Sequence, residues 1–117
     1  VTHQISADNH HRLVAEELIV LRARLHEDRL FRREQLREIA ADVVGSAGSS
    51  DLAAHREVRE KLAAAARTAL AETEAALARM DAGRYGNCGR CGRTISLDCL
   101  SAHPQARYCP RCLAGQQ

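Results

Sequence analysis

Two C-x-x-C pairs, Cys88-Gly-Arg-Cys91 and Cys109-Pro-Arg-Cys112, stand with 17 residues between them near one end of a 117-residue chain. A thiolate pair at this spacing grips one ion from a tight turn, and two such pairs complete a tetrahedral shell. The separation is that of a zinc ribbon, so Cys88, Cys91, Cys109 and Cys112 are the expected ligands of one structural zinc. The glycine after the second cysteine, Gly92, is expected to let backbone N–H groups turn toward the sulfurs, and Pro110 to stiffen the second turn. In so small a segment the ion is expected to stand in for a hydrophobic core and to be required for folding.

Rival chemistries fit less well. Iron suits four thiolates by donor type. A thiol–disulfide oxidoreductase uses one C-x-x-C at a helix start in a βαβ setting, and no such pattern occurs. A catalytic zinc keeps an open coordination position. Four cysteines close it, so no enzyme is expected. The fifth cysteine, Cys99, reads as a partly buried thiol of the ribbon loop, and His103 as a loop residue beside four better-spaced ligands. His10, His11, His26 and His55 show no ligand spacing among themselves.

The rest of the chain reads as helix. Aromatics are 3% of residues and tryptophan is absent, so no ordinary core can be built around large rings. Alanine, leucine and arginine dominate, which favours long helices. From about His10 to Val44 there is no proline or glycine, and Val14, Leu18, Leu21 and Leu25 form a stripe that Leu36, Ile39 and Val43 resume. Ser6 or Asp8 is available as its N-cap. The stripe turns polar around Asp28 and Arg32, with Leu30 and Phe31 out of register, which suggests a stutter or a looser contact. Gly45-Ser-Ala-Gly-Ser-Ser-Asp51 then breaks the helix.

A second helix is expected from a cap at Ser49 or Ser50 to about Ala82, with Gly83 as its stop. Val58, Leu62, Ala66, Leu70, Thr73, Leu77 and Met80 would be its apolar face, and the alanines of 61–71 would allow close approach. Two helices of equal length, each roughly 50 Å at 1.5 Å per residue, joined by a short Gly/Ser link, make an antiparallel hairpin. The expected fold is therefore mainly α: a coiled-coil hairpin over residues 1–83 with its tip near 45–51, then a four-cysteine zinc finger over 84–117.

Val1 to His11 is polar, without the apolar stretch of a signal peptide, and no run reaches membrane-span length. A cytoplasmic location is expected, where paired C-x-x-C means metal more often than disulfide. The net charge of +2 does not by itself imply nucleic-acid or membrane binding. From Arg84 onward there are five arginines and one acid, Asp98, although four thiolates around a divalent ion would offset part of that charge.

Tyr85 to Cys112 reads YGNCGRCGRTISLDCLSAHPQARYCPRC. It resembles the C-terminal finger of the DksA/TraR family of bacterial RNA polymerase regulators, whose form is YGxCxxCGxxI, a leucine, then AxPxAxxCxxC. Tyr85, Gly86, Cys88, Cys91, Gly92, Ile95, Leu100, Ala102, Pro104, Ala106, Cys109 and Cys112 fall in register, and the preceding hairpin is the family's architecture. The resemblance implies a regulator that binds RNA polymerase directly and inserts its coiled-coil tip into the secondary channel, with no sequence-specific DNA contact. Some members cooperate with the alarmone ppGpp and others act without it.

The family's tip often carries two aspartates three residues apart and an alanine two further on. Here the stretch is Gly48-Ser-Ser-Asp51-Leu-Ala53, so Asp51 and Ala53 are the implied polymerase contacts and Gly48 stands at the first acid. Asp51 equally suits a helix first turn, where the dipole favours a carboxylate. Asp42 could add negative charge from the other side of the turn. The finger's usual arginine before Leu100 is Cys99 here. Two other functions compete: a nucleic-acid-binding zinc ribbon using Arg84, Arg90, Arg93, Arg107 and Arg111 on phosphates, and a homodimeric four-helix adaptor.

Overall fold

The computed structural model describes residues 13–45 and 52–115, and the side chains of 43–45 and 52 lie outside the description. Two long helices, α1 (Ala15–Gly45) and α2 (Leu52–Asp81), pack as a hairpin. Two short helices, α3 (Leu97–Ala102) and α4 (Pro110–Gly115), belong to the finger. At 31 residues α1 is about 46 Å long.

The helix α1 starts five residues later than its apolar pattern suggests. Glu17 reaches back to accept the Val14 N–H at 3.0 Å, and the Leu18 N–H bonds to the Val14 carbonyl at 3.0 Å. This is the reciprocal half of a capping box, with Val14 as the cap. Leu13 is thereby freed from the helix and lies against Gly86 of the finger, packed on the core cluster. The proposed caps Ser6 and Asp8 fall outside the described residues. At the far end of α2, Gly83 takes φ +74°, its N–H bonds to Met80 O at 3.1 Å, and the Arg84 N–H bonds to Arg79 O at 2.8 Å. That is a Schellman stop, and glycine is there because its backbone is left-handed.

The seam between the helices follows steps of three and four without interruption. On α1 it runs Leu18, Leu21, Leu25, Asp28, Arg32, Gln35 and Ile39, each of them buried or half-buried. There is no stutter: the register continues and only the residue types become polar. Arg32 Nη1 donates to Gln35 Oε1 at 3.0 Å, while its guanidinium lies over the exposed Phe31 ring. On α2 the seam is Arg59, Ala63, Ala66, Leu70, Thr73, Leu77 and Met80. Thr73 satisfies its buried hydroxyl on the Ala69 carbonyl at 2.9 Å.

Val58 and Leu62 are not on this seam; they are 57% and 48% exposed. They join Ala66 and Leu70 only through successive steps of four, which drift around a helix. A coiled-coil seam averages 3.5 residues per turn and so selects Ala63 and Arg59 instead. Ion pairs Arg22–Asp81 at 3.1 Å and Arg33–Glu74 at 3.0 Å bridge the two helices in antiparallel register. Being largely exposed, each contributes no more than about 1 kcal/mol.

The core sits at the base of the hairpin, not along its shaft. Leu21, Leu25, Ala76, Leu77 and Met80 pack with Tyr85, Ile95 and Leu100 in one cluster. The finger therefore shares the hairpin's core, and the expectation that metal replaces a core there is corrected: nonlocal packing supplies one. Arginines from both helices tie it down. Arg24 donates to the Ser101 carbonyl, and Arg79 to the carbonyls of Gln105 and Ala106 at 3.3 and 3.4 Å.

The seam assignment is tested by three substitutions. Leu25→Ala, at a fully buried site, should lose about 2–5 kcal/mol in urea unfolding. Val58→Ala and Leu62→Ala should stay within about 0.5 kcal/mol of the parent. Equal losses at all three would show that Val58 and Leu62 are on the seam after all.

Candidate metal centre

Two turns bring the sulfurs together. In the first, Cys88 N–H bonds to the Arg93 carbonyl at 2.8 Å, Gly92 N–H returns to the Cys88 carbonyl at 3.0 Å, and Asn87 pairs with Thr94. Gly92 takes φ +78° to close this loop. The donors that face sulfur come from inside the knuckle: the N–H groups of Arg90 and Cys91 point at Cys88 Sγ from 3.4 and 3.5 Å. Gly92 therefore serves the turn, and its own N–H goes to carbonyl oxygen.

In the second turn Pro110 opens α4, where a missing N–H and a fixed φ suit the first helical position. The helix carries Cys112 back toward Cys109, and Leu113 N–H bonds to Cys109 O at 3.0 Å. One bond, Gly89 N–H to the Arg107 carbonyl at 2.9 Å, holds the two turns side by side.

The outcome is a compact cluster. The Sγ atoms of Cys88, Cys91, Cys109 and Cys112 all lie within 4.8 Å of one another, and Cys91 and Cys109 are 3.8 Å apart. A tetrahedron of sulfurs about 2.3 Å from a central ion has edges of about 3.8 Å. Four sulfurs gathered within 4.8 Å, one pair already at that edge length, fit one thiolate-bound metal ion with no position left open. Cys99 and His103 are outside the cluster. Cys99 is half-buried in α3, its N–H capped by Ser96 Oγ at 3.2 Å and its carbonyl accepting the His103 N–H at 2.8 Å.

The protein's own field divides the thiols. Burial opposes ionisation of Cys88, but N–H donors, led by Cys91, outweigh it and bring its thiol down to about 6. Cys109 is also lowered, chiefly by the Cys112 N–H. Cys112 is pushed up to about 12 by burial and then by its sulfur neighbours. The chain alone thus holds a partly ionised set, and a dication would draw off the remaining protons.

A further tie within the finger involves no sulfur. Tyr85 Oη donates to the Pro104 carbonyl at 2.7 Å in a buried bond that ties the two sides of the finger. Burial pushes the Tyr85 phenol up to about 12. Tyr85 and Pro104 were both legible as positions of the finger pattern, but the bond between them was not. At the opposite end of the hairpin, Ala53 is exposed in the first turn of α2, while Asp51 lies outside the described residues.

A closed four-sulfur knuckle seated on the base of a long antiparallel hairpin defines a class of helical zinc-finger folds. Within that class, the solved structure of the transcription factor DksA2 from Pseudomonas aeruginosa matches this chain with a TM-score of 0.76 and 23% identity, over 87% of this chain and 84% of that one. The chain therefore has the DksA2 fold. No protein-family profile and no curated protein matches it. Among the described residues, no helix is long and apolar enough to cross a membrane.

Because metal binding must deprotonate Cys112, affinity should fall as pH drops and binding should release protons. Competition against a chelator at several pH values below 8, with proton release followed in weak buffer, measures both. A pH-independent affinity would mean that the thiols are already ionised.

Proposed function

We propose that the chain is a transcription regulator that binds RNA polymerase directly, with one zinc held by Cys88, Cys91, Cys109 and Cys112. The observation that carries this reading is the fold shared with a transcription factor over most of both chains, with the four-sulfur cluster at the hairpin base. When bound, zinc cross-links the two turns and neutralises half of the thiolate charge; it takes no part in chemistry. The finger is the base and the hairpin is the working part.

The hairpin enters the polymerase secondary channel and brings residues 46–53 toward the interior, with Asp51 and Ala53 at the contact. Two helices side by side are narrow enough for a channel and long enough, at about 45 Å, to cross much of a large enzyme. The exposed Ala53 offers little bulk at the contact. Regulation is then a population shift: the factor must bind one polymerase state more tightly than another, and each tenfold preference is worth about 1.4 kcal/mol. Such a protein works in the cytoplasm and needs no catalytic group.

A photocrosslinker at Ser49 or Ser50 should capture the large polymerase subunits in cells, and a product crosslinked only to itself would favour a homodimer. Asp51→Asn should weaken effects on initiation, assayed with and without ppGpp, while circular dichroism stays unchanged. Undiminished regulation would remove Asp51 from the contact. Metal analysis should return one zinc per chain, lost with the order of the finger in Cys109→Ser.

A further inference from the structure

The arginines of the finger differ from many on the hairpin. Arg22, Arg33 and Arg37 are ion-paired, and Arg24, Arg29, Arg32 and Arg79 donate hydrogen bonds. Arg90, Arg93 and Arg111 are exposed, and among the described residues their side chains make no hydrogen bond or ion pair. They converge. All three line one cleft of about 380 Å³ beside Cys91 and Cys112.

Arg93 and Arg111 also form the wall of a second cleft, of about 430 Å³, which continues past the hydroxyls of Thr94 and Ser96. No carboxylate lines either cleft. The grooves on the hairpin differ: Glu72, Glu60, and Glu16 with Glu17 each sit in one, and Arg56 and Arg67 share theirs with Glu60.

We propose that these paired clefts form a sequence-independent interface for the phosphate backbone of double-stranded nucleic acid. Guanidiniums offer two parallel donors to a phosphate, and arginine with serine and threonine hydroxyls is the usual composition of backbone contacts. Four thiolates around a divalent ion leave two negative charges, which three guanidiniums exceed. Cys88 and Cys109 are buried, and Cys91 and Cys112 are the sulfurs that line the first cleft beside the arginines. No aromatic ring lines either cleft, so there is nothing on which an unpaired base could stack; Tyr108 faces a different groove.

That composition selects a duplex over a single strand. It also accounts for a modest overall charge, since the interface depends on where arginines lie and not on their sum. The clefts lie on the finger, at the opposite end of the hairpin from residues 46–51, so this interface is independent of the tip's engagement with polymerase.

The test uses the zinc-loaded full chain and a fluorescently labelled random-sequence DNA duplex, without polymerase, followed by anisotropy. Three phosphate contacts predict a slope of log affinity against log salt of about −2.7, or roughly 40-fold weaker binding between about 50 and 200 mM salt. Arg93→Gln with Arg111→Gln, checked for unchanged zinc content and helicity, should remove about 1.8 from that slope. Lack of duplex binding at low salt would overturn the proposal. So would unaltered binding by the double variant, or tighter binding to a labelled polyglutamate peptide than to the duplex, which would assign the face to an acidic protein surface.

Discussion

Leu25, Ile95 and Leu100 are sealed from solvent where the base of the hairpin meets the finger, and this junction sets the geometry of everything else. Leu25 comes from α1, Leu77 and Met80 from α2, and Ile95 and Leu100 from the finger, so the cluster joins three segments that are distant in sequence. Arg24 and Arg79 reach across the same junction to finger carbonyls. The sulfur cluster then sits on a platform that is already oriented. Metal and core divide the labour: apolar packing orients the finger on the helices, and four thiolates fix the two turns to each other.

Above the junction the seam changes character. Asp28, Arg32 and Gln35 occupy core positions of α1, level with Leu77, Thr73 and Leu70 of α2 in the register that the ion pairs set, and further along α2 offers only Ala66, Ala63 and the buried Arg59. Such residues bury less apolar area than leucines would, and a half-buried charge brings a desolvation cost. Polar seam residues do, however, bear on register, because a slip changes the partner of every polar group on the seam. Stability is concentrated at the base, and pairing fidelity is carried along the shaft.

This division explains what could be read in the sequence. The sulfur site was legible because C-x-x-C spacing is local and tetrahedral coordination admits few alternatives. Gly83 was legible for the same reason: one left-handed residue ends one helix. The seam of α2 was harder, since Val58 and Leu62 are more apolar than Arg59 and Ala63, and hydrophobicity favoured the wrong face where burial is slight. The start of α1 was hidden because Glu17 and the finger residues that hold Leu13 decide it. The role of Ile95 and Leu100 as a core shared with the hairpin was equally hidden, because only the fold brings them to Leu25.

A long shaft on a short base imposes one further constraint. A tilt of about 5° at the junction moves the end of a rod about 45 Å long by about 4 Å, enough to replace one set of side-chain contacts by another. Surface ion pairs along the shaft are too weak to correct such an error. The precision of the distal end must therefore come from the base, and there every tie is redundant: apolar cluster, two arginine clamps, the Tyr85–Pro104 bond, the Gly89–Arg107 bond and the sulfur cluster. Residues near the distal loop can then vary without disturbing the fold, whereas a change in the finger far from that loop would alter where it points.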